Sequence, residues 1–275
     1  DEAIIFSDVL VIPEAMGLSY EMIEKKGPYF PKTIESKANI DALNTSNLED
    51  HLSYVFEAIK ITKNELSQRV PLIGFAGAPW TIFAYMIEGQ GSKTFSKAKS
   101  FLYREPELAH LLLEKITITT IEYLKLQIKA GADLLQIFDS WAGSLDKAAQ
   151  LAWSSEPLKA IVRLIRHEAP NTPVILFPRK AMFAARDLSG FDALVSLQVD
   201  YSNDLRSASA LEFAAIQGNL DPGRLLGDRE SVEAATRDVI GRVDRERSHV
   251  FNLGHGIFKE SDPDAVHWVL DALRS

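Results

Sequence analysis

Seven short apolar runs punctuate this chain, and most of them end in a polar or glycine-containing signature. The first is Ala3-Ile4-Ile5-Phe6, before Ser7-Asp8. The second, 71–75, precedes Ala76-Gly77-Ala78-Pro79-Trp80, and the third, 134–138, precedes Asp139-Ser140. The fourth, 174–177, precedes Pro178-Arg179, and the fifth is 193–197. The sixth, 213–216, precedes Gln217-Gly218-Asn219, and the last, 249–253, precedes Gly254-His255-Gly256. Strands covered on both faces of a parallel sheet read as continuous apolar runs. In a (β/α)8 barrel the reactive groups stand just past the C-terminal ends of such strands. The pattern therefore predicts an α/β fold, a single-domain TIM barrel over residues 1–275, and a set of candidate site residues with it.

The segments between the runs read as helices. In 106–130, Pro106 suits a first helical position, Leu108, Leu111, Leu112, Ile116 and Tyr123 recur at helical spacing, and Gly131 follows the last turn. Helices are also predicted over 48–67, 229–244 and 262–274, the last opened by Ser261-Asp262-Pro263. Strands alternating with helices, with no Pro/Ser linker and no internal repeat, argue for parallel βα units in one domain. A closed barrel needs eight strands, and the runs number seven. The simplest expectation is a first βα element upstream of the opening strand. The other is an eighth strand within 9–45, a stretch broken by Pro13, Gly17, Gly27-Pro28 and Pro31.

The 275 residues carry no cysteine, which excludes disulfides and thiolate metal sites and fits a cytoplasmic setting. No apolar run approaches the ~20 residues of a membrane helix, so no membrane partner is expected. The net charge of −8 argues against a general nucleic-acid surface. An anionic ligand must therefore be met by a local group of cations or backbone N–H groups.

Each candidate has a plain structural reading beside the functional one. Asp8 directly after a strand forms a turn or a helix cap as readily as it does chemistry. Gly77-Ala78-Pro79-Trp80-Thr81 is a strand-to-helix turn whose small residues let the backbone approach a ligand. Tyr85 lies on the helix that this turn opens. Gly89-Gln90-Gly91-Ser92-Lys93-Thr94 misses the G-x-x-x-x-G-K-[ST] spacing and reads as a loop or lid rather than a phosphate cradle. Phe138-Asp139-Ser140 is no nucleophile elbow, so Ser140 is read as a hydrogen-bonding group. His255, between two glycines, is expected to face a cavity, while the other histidines read as ordinary. No H-x-H or H-E-x-x-H pair points to a metal.

Taken together these signatures resemble the uroporphyrinogen decarboxylase family. The matching pieces are Ile5-Phe6-Ser7-Asp8-Val9-Leu10, Gly27-Pro28, Gly74-Phe75-Ala76-Gly77-Ala78-Pro79-Trp80-Thr81, Tyr85-Met86-Ile87-Glu88-Gly89, Phe138-Asp139-Ser140, Gln217-Gly218-Asn219-Leu220-Asp221-Pro222 and Asn252-Leu253-Gly254-His255-Gly256. They occur in the family's order over nearly the whole chain. The resemblance implies a homodimeric TIM barrel that removes carbon dioxide from the four acetate side chains of uroporphyrinogen III, giving coproporphyrinogen III, with no metal or organic cofactor. It implies that Asp8 is the catalytic aspartate at the pyrrole N–H groups. It implies substrate contacts by Tyr85, Ser140 and His255, and packing of Phe138 on the ring system.

Two departures from the family pattern stand out. The family's N-terminal R-Q-A-G-R segment, which supplies carboxylate-holding arginines after the barrel's first strand, has no match here, so these residues by themselves are expected to bind substrate poorly. The family's Lys/Arg-Gly loop and G-L-D-W signature are replaced by Pro178-Arg179-Lys180-Ala181-Met182-Phe183 and Ser196-Leu197-Gln198-Val199-Asp200. Arg179 and Lys180 are either carboxylate ligands or a solvated charge pair. The departures leave a non-catalytic tetrapyrrole-binding relative as the alternative function. Corrinoid-dependent methyltransferases of the same superfamily use a zinc-bound cysteine, which this chain lacks.

Overall fold

The computed structural model describes residues 2–5, 7–24, 27–244 and 246–275. Phe6, part of the first apolar run, lies outside the described residues. Seven parallel strands form the main sheet among the described residues: β1 (Ala3–Ile4), β4 (Leu72–Gly77), β5 (Leu134–Asp139), β6 (Val174–Pro178), β7 (Val195–Gln198), β8 (Ile216–Gln217) and β9 (His249–Val250). They neighbour one another in chain order. Each lies on one of the seven apolar runs, and β4 to β8 continue one or two residues past the end of theirs. The three longest, β4 to β6, are buried along almost their whole length, as strands covered on both faces must be.

The expected helices form between them. The longest, Pro106–Ala130, starts at its proline and ends where Gly131 takes φ +116°. Its Gln127 amide donates to the Phe75 carbonyl and accepts from the Phe75 N–H, both at 2.8 Å. This side chain thus completes the backbone pairing of β4 beyond the end of β1, whose pairing with β4 stops at Ile4. The 48–67 helix breaks at Leu52 (φ −111°, ψ 20°) into Leu48–His51 and Ser53–Leu66. The last two helices are Arg229–Gly241 and Asp264–Arg274, slightly shorter than expected.

The alternative of an eighth barrel strand within 9–45 does not hold among the described residues. The strands there, β2 (Glu21–Ile23) and β3 (Gly27–Tyr29), pair antiparallel with each other in a separate two-stranded sheet. Their exposed and half-exposed residues lack the continuous apolar character that a covered strand requires.

Side chains alternate across the strands, and Ile73, Leu134 and Ile175 pack into one small cluster on the sheet's concave side. Above that layer lies a cavity of about 700 Å³. Ile4 of β1 and His249 of β9, from the two ends of the strand order, both line it. The sheet is therefore curled around the cavity, although β1 and β9 are not paired with each other. On the convex side the helices close a continuous apolar core that includes Trp80, Phe83, Ile137 and Leu176, all fully or almost fully buried. At roughly 1.5–3 kcal/mol per large buried side chain, this core outweighs exposed ion pairs such as Lys37–Asp41. No helix among the described residues is long and apolar enough to cross a membrane.

Candidate active site

The loop after β1 carries Asp8. Its Oδ1 accepts the Leu10 N–H at 2.9 Å, so it is the turn-forming role, not that of a helix cap, that Asp8 fills here. Tyr20 lies close to the same carboxylate, and burial, then the Asp8 charge, pushes its hydroxyl above its ordinary range. Ser7 meets the hydroxyl of Tyr123 at 3.3 Å, which ties this loop to the longest helix. Burial pushes the Tyr123 hydroxyl up to about 12.

Asp8, Phe138 and Ser140 line one cavity of about 380 Å³ at the C-terminal ends of β1 and β5. The rest of its wall is largely apolar and includes Ile4 and Phe75. Phe138 meets Phe75 and Phe177 edge-on, with ring centroids 5.7 and 6.1 Å apart. A carboxylate beside an aromatic wall suits a ligand built of aromatic rings that carry N–H donors. Tyr85 and His255 do not line this cavity. Tyr85 stands half-buried against Trp141, ring centroids 6.2 Å apart. Burial, joined by the Asp8 charge, pushes its hydroxyl up.

His255 sits on the exposed rim of the loop after β9. Its Nδ1 accepts the Gly256 N–H at 2.7 Å. Partial desolvation, then the nearby Arg179 guanidinium, pushes this imidazole below its usual range, with Lys180 adding to the effect. His249, read from sequence as ordinary, reaches the Gly218 carbonyl through Nε2 at 2.6 Å and lines the larger cavity.

Sequence reasoning passed over two supporting residues. Asp139, completely buried, accepts from Thr81 Oγ1 at 2.7 Å and from Ser154 Oγ at 2.5 Å. Thr81 in turn accepts the Trp141 N–H at 3.2 Å, so the turn carrying Ser140 hangs on this carboxyl. Asp200 takes hydrogen bonds from the Lys180 and Ser202 N–H groups, the Ser202 hydroxyl and the Asn203 amide, and so ties the loops after β6 and β7 together. Neither burial nor long-range partners can be read from a lone acidic residue in a sequence, and no local signal marked them. Among the described residues no three His, Asp or Glu side chains converge as a metal-ligand set.

Burial pushes the Asp139 carboxyl up to about 6, against the opposing pull of its two hydroxyl donors. A raised folded-state value means that the folded chain holds this proton more tightly than the unfolded one. The stability it lends is complete below the unfolded value near 3.8 and is lost as pH rises through about 6. Asp139→Asn removes that titration. Its stability difference from wild type is expected to move in the variant's favour by on the order of 2–3 kcal/mol between pH 4 and 7. Denaturant melts of both proteins across this range check it, and a pH-independent difference would refute it.

The chain matches the uroporphyrinogen decarboxylase (URO-D) family model over residues 1–275. It is 44% identical over 270 residues to a uroporphyrinogen decarboxylase of Chlorobium limicola, covering 96% of this chain and 76% of that protein. It is also 44% identical over 283 residues to one of Schizosaccharomyces pombe, covering 98% of this chain and 78% of that protein. Among solved structures, a methyltransferase from Methanosarcina mazei superposes with a TM-score of 0.81 over 98% of this chain and 79% of its own, at 19% identity, a likeness of fold alone.

Proposed function

This chain belongs to the uroporphyrinogen decarboxylase family, and from that membership we infer that it is a carboxy-lyase of tetrapyrrole biosynthesis. It removes the carboxyl groups of the four acetate side chains of uroporphyrinogen III to give coproporphyrinogen III. The observation that carries this reading is the family match along the whole chain, and the cavity bounded by Asp8, Phe138 and Ser140 suits the substrate.

Loss of carbon dioxide from an acetate leaves an electron pair that needs a sink. A pyrrole protonated on its ring carbon provides one: as the bond to the carboxylate breaks, its electron pair enters the ring and leaves an exocyclic methylene, which takes up a proton to become the methyl as the ring carbon gives its added proton back, so that one proton replaces each carbon dioxide. The Asp8 carboxylate, placed against the ring N–H groups, stabilises the cation that develops. Phe138 supports the ring face, and Ser140, Tyr85 and His255 hold the periphery. No protein group forms a bond to the substrate, and the ring keeps its oxidation level.

We read the curled sheet as seven strands of a single-domain (β/α)8 barrel, with the eighth place between β1 and β9. The cavity reached from both sides of that gap supports this. The family reading also carries a homodimer and a cytoplasmic setting.

An anaerobic assay of the full-length protein with uroporphyrinogen III, followed by chromatography, tests the function. Appearance of coproporphyrinogen is expected. Tight binding without product would instead favour the non-catalytic relative.

A further inference from the structure

Outside the cavity already described, Arg179 has a chemical demand that the fold does not meet. It follows β6, in which Phe177 pairs with Phe138 of β5. Residues two apart share a face of a strand. Ser140, two beyond Phe138, lines the cavity that holds Asp8. Arg179, two beyond Phe177, occupies the corresponding place on the neighbouring strand. Its backbone is tightly held: its N–H reaches the Asp139 and Phe177 carbonyls at 3.1 and 3.0 Å, and its carbonyl accepts the Gly143 N–H at 3.0 Å.

The side chain is treated differently. It is partly buried, and its Nε lies out of solvent with no hydrogen-bond partner. Two other partly buried cations show the contrast. Arg166 forks onto both oxygens of Asp192, and Lys159 reaches Glu156 and Asp187. The nearby acid, Asp200, already has both oxygens engaged by the rim's own donors. Lys180 stands on the same rim, so two cations face the single carboxylate of Asp200 in a chain whose net charge is −8. A guanidinium with a desolvated, unmet donor is costly unless an acceptor arrives.

We propose that Arg179 binds a carboxylate of the substrate at the cavity mouth, next to Ser140, and so helps to select polycarboxylated tetrapyrroles. This rests on the function proposed above and assigns a role to one of the loops in which the chain departs from its family. The forked guanidinium offers two parallel donors, and a lysine at this place offers charge without the fork.

The test titrates the full-length protein with uroporphyrin, the oxidised and coloured octacarboxylate, and measures turnover of uroporphyrinogen for wild type, Arg179→Gln and Arg179→Lys. Arg179→Gln is expected to weaken binding and raise KM by roughly 10- to 100-fold, with a smaller change in kcat. Arg179→Lys is expected to recover part of the loss. The melting temperature of both variants should match wild type, because the side chain has no partner to lose. A wild type that turns over substrate while Arg179→Gln matches it in affinity and KM overturns the assignment alone. A drop in melting temperature with KM unchanged does the same, since it points to a structural role. A wild type that neither binds uroporphyrin nor converts uroporphyrinogen overturns the underlying reading as well.

Discussion

Asp8→Asn should abolish most turnover while leaving the fold intact. The amide is close to isosteric, and its Oδ1 can keep the Leu10 N–H that Asp8 holds at 2.9 Å, so the turn into Val11–Ala15 survives. What disappears is the negative charge facing the developing pyrrole cation. Removing one preorganised electrostatic group of this kind costs about 3–4 kcal/mol, or 10²- to 10³-fold in kcat. KM should change less, because the charge acts mainly on the transition state. Single-turnover kinetics of the full-length variant, with a thermal melt alongside, measure both halves of this expectation. Near-normal kcat would remove Asp8 from its assigned role and leave it as a turn former.

Gly254→Ala should be the most damaging small substitution in the site's frame. A β-carbon at this position would stand 2.2 Å from the Tyr201 backbone nitrogen and 2.8 Å from its Cα. These are backbone atoms, so no side chain can swing aside. The loop after β9 must separate from the loop after β7, which carries Asp200 and its hydrogen bonds to the rim. Overpacking of this kind costs about 3 kcal/mol or more. For a domain of this size that corresponds to a fall in melting temperature of roughly 6 °C or greater. His255, the next residue, shifts with the loop, so activity should fall as well. Gly256→Ala is the internal control, since its added carbon meets nothing within 4 Å. Equal melting temperatures for the two variants would show that the close approach is not a constraint.

Much of the architecture was legible along the chain because its signals are local. Continuous apolar runs marked the seven strands of the main sheet, and Pro106 and Gly131 marked both ends of the longest helix. The short strand at Ile216–Gln217 shows where this reading thins: in the run before it Phe213 is buried but Ala214 is exposed, and only Ile216, the last residue of the run, belongs to the strand. The Leu52 break was equally invisible, since an apolar residue fits either side of a helix end.

The site divides in the same way. The sequence by itself determined the chemistry on offer: a carboxylate after the first strand, Phe138 and Ser140 at the end of the third run, a histidine between glycines, and motifs specific enough to place the chain in its family. Only the tertiary structure decided which of these share a cavity. It brought Asp8 to Phe138 and Ser140 across more than a hundred residues and left His255 on an exposed rim. It sealed Asp139 beneath the Ser140 turn and left the Arg179 Nε dry and unmatched. These outcomes depend on desolvation and on partners distant in sequence. Both arise only when strands far apart in the chain lie side by side, so no local pattern encodes them.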